Sequence, residues 1–347
     1  MLILRDGDLK GFLEGKGVAF KTHDNPHLDE VGALFLIEKF GSEEFLDKYA
    51  KDGMILMGVG GGDFDEHPRD GKERKNGDCA MSLVAKALKI EEDPALEKIL
   101  KFITNNDLKG SSHPFDLASL LSARYQCSCN GAPEKVIRET ISDLETFYEL
   151  QRRFFSCTKA DFEKKATIDV VRNGDKELKI VSIASDDPQT NKFARSSYGC
   201  DAAVVIQKKT SGHIQIFTNR RYGVVLFDVA QMIRIAEQKA KGNLLVKDWK
   251  VLNSEGTLEG VPEWYFQHEG QMLLNGSLTN TDVAPTCLSV KRIRSFVQIA
   301  LDYNKFSESH AIECKRGICT SMHNKPCEFY PYGLHRCRKI RYQMKTA

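Results

Sequence analysis

The spacing of apolar and polar positions changes character along the chain. "GVAF" (17–20) is a short unbroken apolar run, as a buried strand requires, and "LDEVGALFLIEKF" (28–40) repeats its apolar positions at helical intervals. Asn25 suits the N-cap of that helix, Pro26 its first position and Gly41 its stop. "GMILMGV" (53–59) predicts a second buried strand, broken by the glycines of "GVGGGDFDEH". Helical spacing returns at 79–90 ("CAMSLVAKALKI"), 94–104, 115–125 and 134–155. This alternation predicts an α/β fold whose sheet is mainly parallel and flanked by helices. Beyond residue 175 or so the texture shifts to "ELKIVSIAS", "DAAVVIQKK", "HIQIFTN" and "GVVLF", with "TSG" turning between the middle pair. These runs predict antiparallel strands of a smaller α+β second domain, with helices at 228–240 and 289–302. The polar, turn-forming "RNGDKE" sets a boundary at 172–176. The expected organisation is then 1–172, 177–306 and a basic cysteine-rich tail, 307–347.

At 347 residues the chain is long enough for two cores, since single cores stop growing near about 250–300 residues. Its 41% apolar and 28% charged residues exclude a disordered chain. A net charge of +2 points to no particular partner. No run approaches the roughly 20 apolar residues of a membrane span, and "MLILRDGDLKG" meets charge too early for a secretory signal, so a cytoplasmic location is expected.

The chemistry gathers in three places. "THDNPHLDE" (22–30) carries His23, His27 and Asp29 at a strand-to-helix corner. "DFDEH" (63–67) delivers Asp63, Asp65, Glu66 and His67 from the second strand, and Asp107 follows in "FITNNDLKG". All are expected at loop ends on one sheet edge, where open α/β sheets gather ligands. Mixed imidazole and carboxylate donors suit manganese, iron or zinc, carboxylates with water suit magnesium, and there are donors enough for two ions. A surface "HxxxHxD" alone is more often solvated, an aspartate alone more often a cap, and "GVGGG" meets neither phosphate-loop spacing. It is their combination that points to metal.

In that order the motifs resemble the DHH phosphoesterase superfamily. "HDNPHLDE" is similar to the first motif of the family II inorganic pyrophosphatases, and "FDEHP" to the DHH triplet with glutamate in its middle place. "VGGGDFDEH" followed by "CAMSLVAKAL" is similar to the melanocyte proliferating gene family of exonucleases. The resemblance covers mainly residues 17–125. It implies His23, His27, Asp29, Asp65 and Asp107 as metal ligands, His67 as a ligand or a donor to phosphoryl oxygens, and Asp63 or Glu66 as the bridging oxygen, with His67 and Glu66 the catalytic pair. Two manganese or magnesium ions would then perform in-line displacement at phosphorus. Where the family has a bridging aspartate at the exit of the second strand, the nearest residue here is Gly58.

Cys314, Cys319, Cys327 and Cys337 fall within one short segment of the tail, a spacing that allows a structural zinc, an iron–sulfur cluster or four reduced thiols, with His310, His323 and His335 as substitute ligands. From 315 to 347 there are eight Lys or Arg against one acid, Glu328, with Phe329, Tyr330, Tyr332 and Tyr342 interleaved. Basic charge with stacking aromatics suits single-stranded nucleic acid, and a solvated terminus equally. Asn275, Gly276 and Ser277 are the best candidates for the glycine-rich substrate loop that the resemblance implies, and Arg220 with Arg221 for phosphate contact. The expected function is a metal-dependent phosphodiesterase or exonuclease on single-stranded nucleic acid or short oligonucleotides. The alternatives are a DHH-like nucleic-acid-binding or regulatory protein without turnover, and a small-molecule phosphatase or pyrophosphatase.

Overall fold

The computed structural model describes residues 2–5, 17–67, 77–110, 113–127, 132–276, 282–302, 312–313, 316, 327–334 and 337. The chain divides into two compact units, Met1–Phe155 and Ser156–Ala347, each with its own core.

In the first unit β1 (Leu2–Arg5) and β2 (Ala19–Thr22) lead to α1 (Leu28–Phe40), α2 (Glu43–Tyr49) and β3 (Met54–Leu56). Helices α3 (Ala80–Leu88), α4 (Glu97–Lys109), α5 (Leu117–Gln126) and α6 (Pro133–Arg153) complete it. Its sheet has the order β1-β2-β3, with β1 antiparallel to β2, and β2 parallel to β3 through Ala19↔Met54, Phe20↔Ile55 and Lys21↔Leu56. Helix α1 is the hub. Every residue from Leu28 to Ile37 is buried, because α1 is apolar on all sides and α3, α4, α5 and α6 pack around it. Gly32 allows the closest of these approaches: a Cβ there would stand 2.6 Å from Met81 Sδ.

The second unit holds α7 (Lys159–Lys165), β4 (Thr167–Asn173), β5 (Lys176–Ala184), α8 (Thr190–Arg195), β6 (Val204–Lys208), β7 (Ile214–Thr218), α9 (Phe227–Ala240), α10 (Trp249–Leu252), β8 (Gly256–Leu258), β9 (Val261–Gln267), β10 (Met272–Leu274) and α11 (Val290–Leu301). Its seven strands run β4-β5-β6-β7-β10-β9-β8, and of these pairs β5 with β6 alone is parallel. Helix α9 crosses the core carrying buried polar staples. The Arg234 guanidinium donates to the carbonyls of Leu252 (2.9 Å), Ser254 (2.9 Å), Trp264 (3.2 Å) and Gly256. Glu237 accepts from Trp264 Nε1 at 3.0 Å and from the Cys287 N–H at 2.8 Å.

The architecture is mixed α and β, and five expectations need correction. A mainly parallel sheet is absent among the described residues, because hairpins rather than crossovers dominate the strand connections. The second unit is the larger of the two. The "RNGDKE" stretch turns the β4–β5 hairpin, pairing Asn173 with Lys176 inside the second unit, and the division falls in the π-helical turn Phe154–Thr158. "GVVLF" is no strand: Leu226 N–H is taken by the Gln271 side chain, and Phe227 opens α9. The N-cap of α1 is His27, not Asn25, and Pro26 lies before the helix. No helix among the described residues is long and apolar enough to cross a membrane.

Candidate metal centre

Strand β2 ends at Thr22, whose hydroxyl donates to the His23 carbonyl at 2.9 Å. The chain then turns into α1, and Glu30, in the first turn, reaches back over the turn. Its carboxylate accepts from His23 N–H (3.0 Å) and His27 N–H (2.8 Å), and His23 Nδ1 lies 3.1 Å from both oxygens. Glu30 capping the His27 N–H from the third helical position lets the helix start on a histidine. Beside it, Asp29 Oδ2 accepts from Ala80 N–H at 3.1 Å, at the N-terminus of α3, where the helix dipole favours negative charge.

The glycine turn after β3 supplies the second strip. Gly61 N–H donates to Asp65 Oδ2 at 2.7 Å, and His67 N–H to Asp65 Oδ1 at 3.0 Å, so the loop folds back around the Asp65 carboxylate. His67 Nδ1 lies 3.0 Å from the same Oδ1 and 3.4 Å from Glu66 Oε1. A carboxylate on Nδ1 favours the Nδ1–H tautomer for both His23 and His67, which leaves each Nε2 as an electron-pair donor. Gly58 has φ +61°, and a Cβ there would stand 3.0 Å from Glu30 Cγ and 3.1 Å from its Cδ. No longer side chain fits at 58 while Glu30 occupies that space.

Three sets of donor atoms gather, each within 4.8 Å: His27, Asp29 and Glu30; Asp29, Glu66 and Asp107; Asp65, Glu66 and His67. Asp29 belongs to the first two and Glu66 to the last two, so the sets form one continuous run. Asp29, Glu30, Asp65 and Glu66 are buried, whereas the three imidazoles form a solvent-reaching rim. The His23 and His27 rings stack at 5.4 Å, and His67 meets His23 edge-on at 6.3 Å.

Electrostatics fit a cation here. The hydrogen bonds that reach Asp29 and Glu30 come from backbone N–H groups and an imidazole, and Glu66 meets the His67 imidazole at 3.4 Å, with no Lys or Arg among the described residues. Burial, reinforced by Asp107, Glu66 and Glu30, pushes the Asp29 carboxyl up to about 7. Burial also raises Glu66, with Asp107 and Asp65 adding to the rise and His67 opposing it. Glu66 Oε2 is buried with no hydrogen-bond partner. Uncompensated buried carboxylates are costly, and the available remedies are a proton or a cation. The donor set, oxygen-rich with imidazole at its edge, could hold a metal ion.

Most of the expected ligands therefore converge, with three differences, the first being that His23 stands outside the three sets with its Nδ1 against the Glu30 carboxylate. Asp107 lies in the last turn of α4 rather than in a loop. Asp63 stands outside the three sets; it pairs with Lys51 at 3.1 Å and lines a cavity of about 340 Å³ with Tyr49, Met54 and Phe64. Glu30 was missed, though the His-x-x-Glu spacing of a capping box was present in "HLDE".

The expected substrate residues of the second unit have structural work. Asn275 is fully buried; its amide donates to the carbonyls of Glu263 (3.1 Å) and Ala284 (2.9 Å), and its Oδ1 accepts from Thr286 N–H (3.0 Å). The Gly276 carbonyl accepts from Gln215 at 2.9 Å, and Ser277 lies outside the described residues. Arg221 pairs with Asp201 and Arg220 is exposed. In the tail Phe329 is buried against Phe296, so it is no stacking platform. Cys327 and Cys337 pack at the same core, while Cys314, Cys319, His310, His323 and His335 lie outside the described residues. Comparison with known proteins adds no relative, since no family model and no curated protein matches the chain.

Proposed function

We propose that the first unit holds one or two divalent cations, manganese or magnesium, and hydrolyses phosphodiesters of single-stranded nucleic acid or short oligonucleotides. The observation that supports this most is the continuous run of donors shared through Asp29 and Glu66, with Glu66 Oε2 buried and unpartnered. Asp29, Glu30, Glu66 and Asp107 would hold the cations, with His27 at the edge. Such ions supply a nucleophilic water near neutral pH and clamp the oxygens of the scissile phosphate. Asp65 fixes the ring of His67, which at the rim is placed to exchange a proton with a phosphoryl or leaving oxygen. Phosphorus chemistry is favoured by the DHH-like motif order, and a nucleic-acid substrate by the basic tail.

Gly58 favours a second reading, a binding protein without turnover, because the aspartate usual there in the DHH family is lacking and Glu30 fills the space. One experiment divides the readings. The full chain is given Mn²⁺ with single-stranded RNA, single-stranded DNA, dinucleotides and pyrophosphate in parallel, beside the His27→Ala/Asp29→Ala variant. Nucleotide products from the parent alone support the proposal; phosphate from pyrophosphate alone, or binding without products, overturns it. Elemental analysis of the same samples tests a structural zinc in the tail, retained by the parent and lost on Cys314→Ser/Cys319→Ser replacement.

A further inference from the structure

The cavity of about 340 Å³ beside β3 shares no lining residue with the three donor sets. Its volume falls in the range of about 300–1,000 Å³ that small-ligand pockets occupy. Two fixed loops frame it. Asp52 and Gly53, both at positive φ, form a two-residue turn closed by Lys51 N–H to the Met54 carbonyl and Met54 N–H to the Lys51 carbonyl, each at 2.9 Å. On the other side Gly58 N–H donates to the Phe64 carbonyl at 2.9 Å, which ties the Gly62–Phe64 segment alongside the edge strand β3.

The lining is apolar with one charged couple. Met54, Ile55, Leu56 and Phe64 supply apolar walls, and half-buried Tyr49 an aromatic one, its ring 5.0 Å from that of Phe64. Lys51 Nζ and Asp63 Oδ2 stand 3.1 Å apart, on side chains that are 72% and 47% exposed. An ion pair so exposed contributes little stability, so the fold does not depend on it. What the couple offers is a cationic donor next to an anionic acceptor at the mouth of an aromatic-walled space. Nucleobases are planar rings that carry an acceptor and a donor side by side on one edge. Guanine matches best, because its N1–H and N2–H together fit the two oxygens of one carboxylate while its O6 accepts from a cation. Adenine, cytosine and uracil each offer the carboxylate a single ring-edge donor group.

We propose that this cavity is a nucleobase pocket selective for guanine, in which Asp63 accepts from N1–H and N2–H, Lys51 donates to O6 and Tyr49 supplies the aromatic wall. The inference deepens the nucleic-acid reading given above by naming a base that the substrate presents. Phe64 lines the cavity and Asp65, the next residue, belongs to the donor run, so pocket and cations share one short segment. Guanine recognition itself needs no cation, since no lining residue is among the proposed ligands.

The test measures binding of GMP, AMP, CMP and UMP to metal-stripped full-length protein by calorimetry, with ribose 5-phosphate as the control for sugar and phosphate alone. The parent is expected to bind GMP about tenfold more tightly than the other three nucleotides, and ribose 5-phosphate more weakly than any of them. Asp63→Asn and Lys51→Met are expected to keep the parental melting temperature, since the pair is exposed. Asp63→Asn should bring GMP down to the level of the other nucleotides, and Lys51→Met should weaken GMP about tenfold. Tyr49→Leu should weaken all four nucleotides about tenfold. A parent that binds GMP no more tightly than UMP, or no more tightly than ribose 5-phosphate, overturns the pocket and leaves the cation reading standing. Guanine preference retained in Asp63→Asn overturns it as well. Guanine-selective binding by a chain that hydrolyses no oligonucleotide with Mn²⁺ supports the pocket and overturns the phosphodiesterase reading alone.

Discussion

At the scale of single residues, the site is a set of carboxylates that the fold holds closer than their charges favour. Asp29 is the clearest case. Its pKa stands at about 7 in the folded chain against an ordinary 3.8, so the folded state binds the proton more tightly than the unfolded state. The stability this contributes is complete below about pH 4 and is lost as pH climbs to about 7. At 1.36 kcal/mol per pH unit the loss approaches about 4 kcal/mol. Metal-stripped protein should therefore melt at a higher temperature at pH 5 than at pH 7.5, and Asp29→Asn should flatten the difference. Equal melting temperatures for the parent at the two pH values would refute the account. Mn²⁺ should reverse the trend, because the cation takes the place of the proton. Glu30 plays a different part, as an acceptor for two backbone N–H groups. Glu30→Ala strands both donors and should cost about 1–3 kcal/mol, read from denaturant unfolding of the metal-free chain.

Elements show which features a sequence carries by itself. The end of the chain makes the point with a prediction: Phe329 is fully buried and meets Phe296 edge-on at 5.4 Å. Phe329→Ala should cost the second unit about 3–5 kcal/mol and leave Mn²⁺ affinity unchanged, whereas a nucleic-acid platform would lose ligand and keep its stability. The basic, aromatic texture around Phe329 misled because composition does not say which aromatic finds a core. The span of helix α1 was legible, since Leu28–Phe40 is a long, mostly apolar run stopped at Gly41, whereas its cap was not. Strand β4 was not legible, although "TIDVVRN" carries Ile168, Val170 and Val171; Ile168 and Val170 are exposed and Val171 alone of the three reaches the core. "GVVLF" misled in the opposite direction, with buried Val224 and Leu226 alternating in a segment that has no strand partner. The convergence of His27, Asp29, Asp65, Glu66, His67 and Asp107 was readable from motif order alone. The caps and cradles around them depend on three-dimensional proximity; Gly61 cradling Asp65 is one, and Glu30 filling the space beside Gly58 another.

At the scale of the whole molecule, sheet pairing and the division into units depend on contacts distant in sequence, which local spacing does not encode. Each unit closes its own core, one drawn from residues between Leu4 and Tyr148, the other from residues between Val171 and Cys337. Two cores of this kind allow two unfolding transitions. The candidate cation site lies wholly in the first unit, and both tryptophans, Trp249 and Trp264, lie in the second. Trp264 is fully buried, its indole N–H held by Glu237 at 3.0 Å, so its fluorescence reports on the second core. A ligand that binds one folded unit stabilises that unit by about 2.7 kcal/mol at a concentration 100 times its dissociation constant. Saturating Mn²⁺ should accordingly raise the first unit's transition, followed by far-ultraviolet circular dichroism, by several degrees, while the tryptophan fluorescence transition stays in place. If both signals moved together, the two cores would unfold as one cooperative body, and a cation held by α1, α4 and the glycine turn would be stabilising residues that touch none of its ligands.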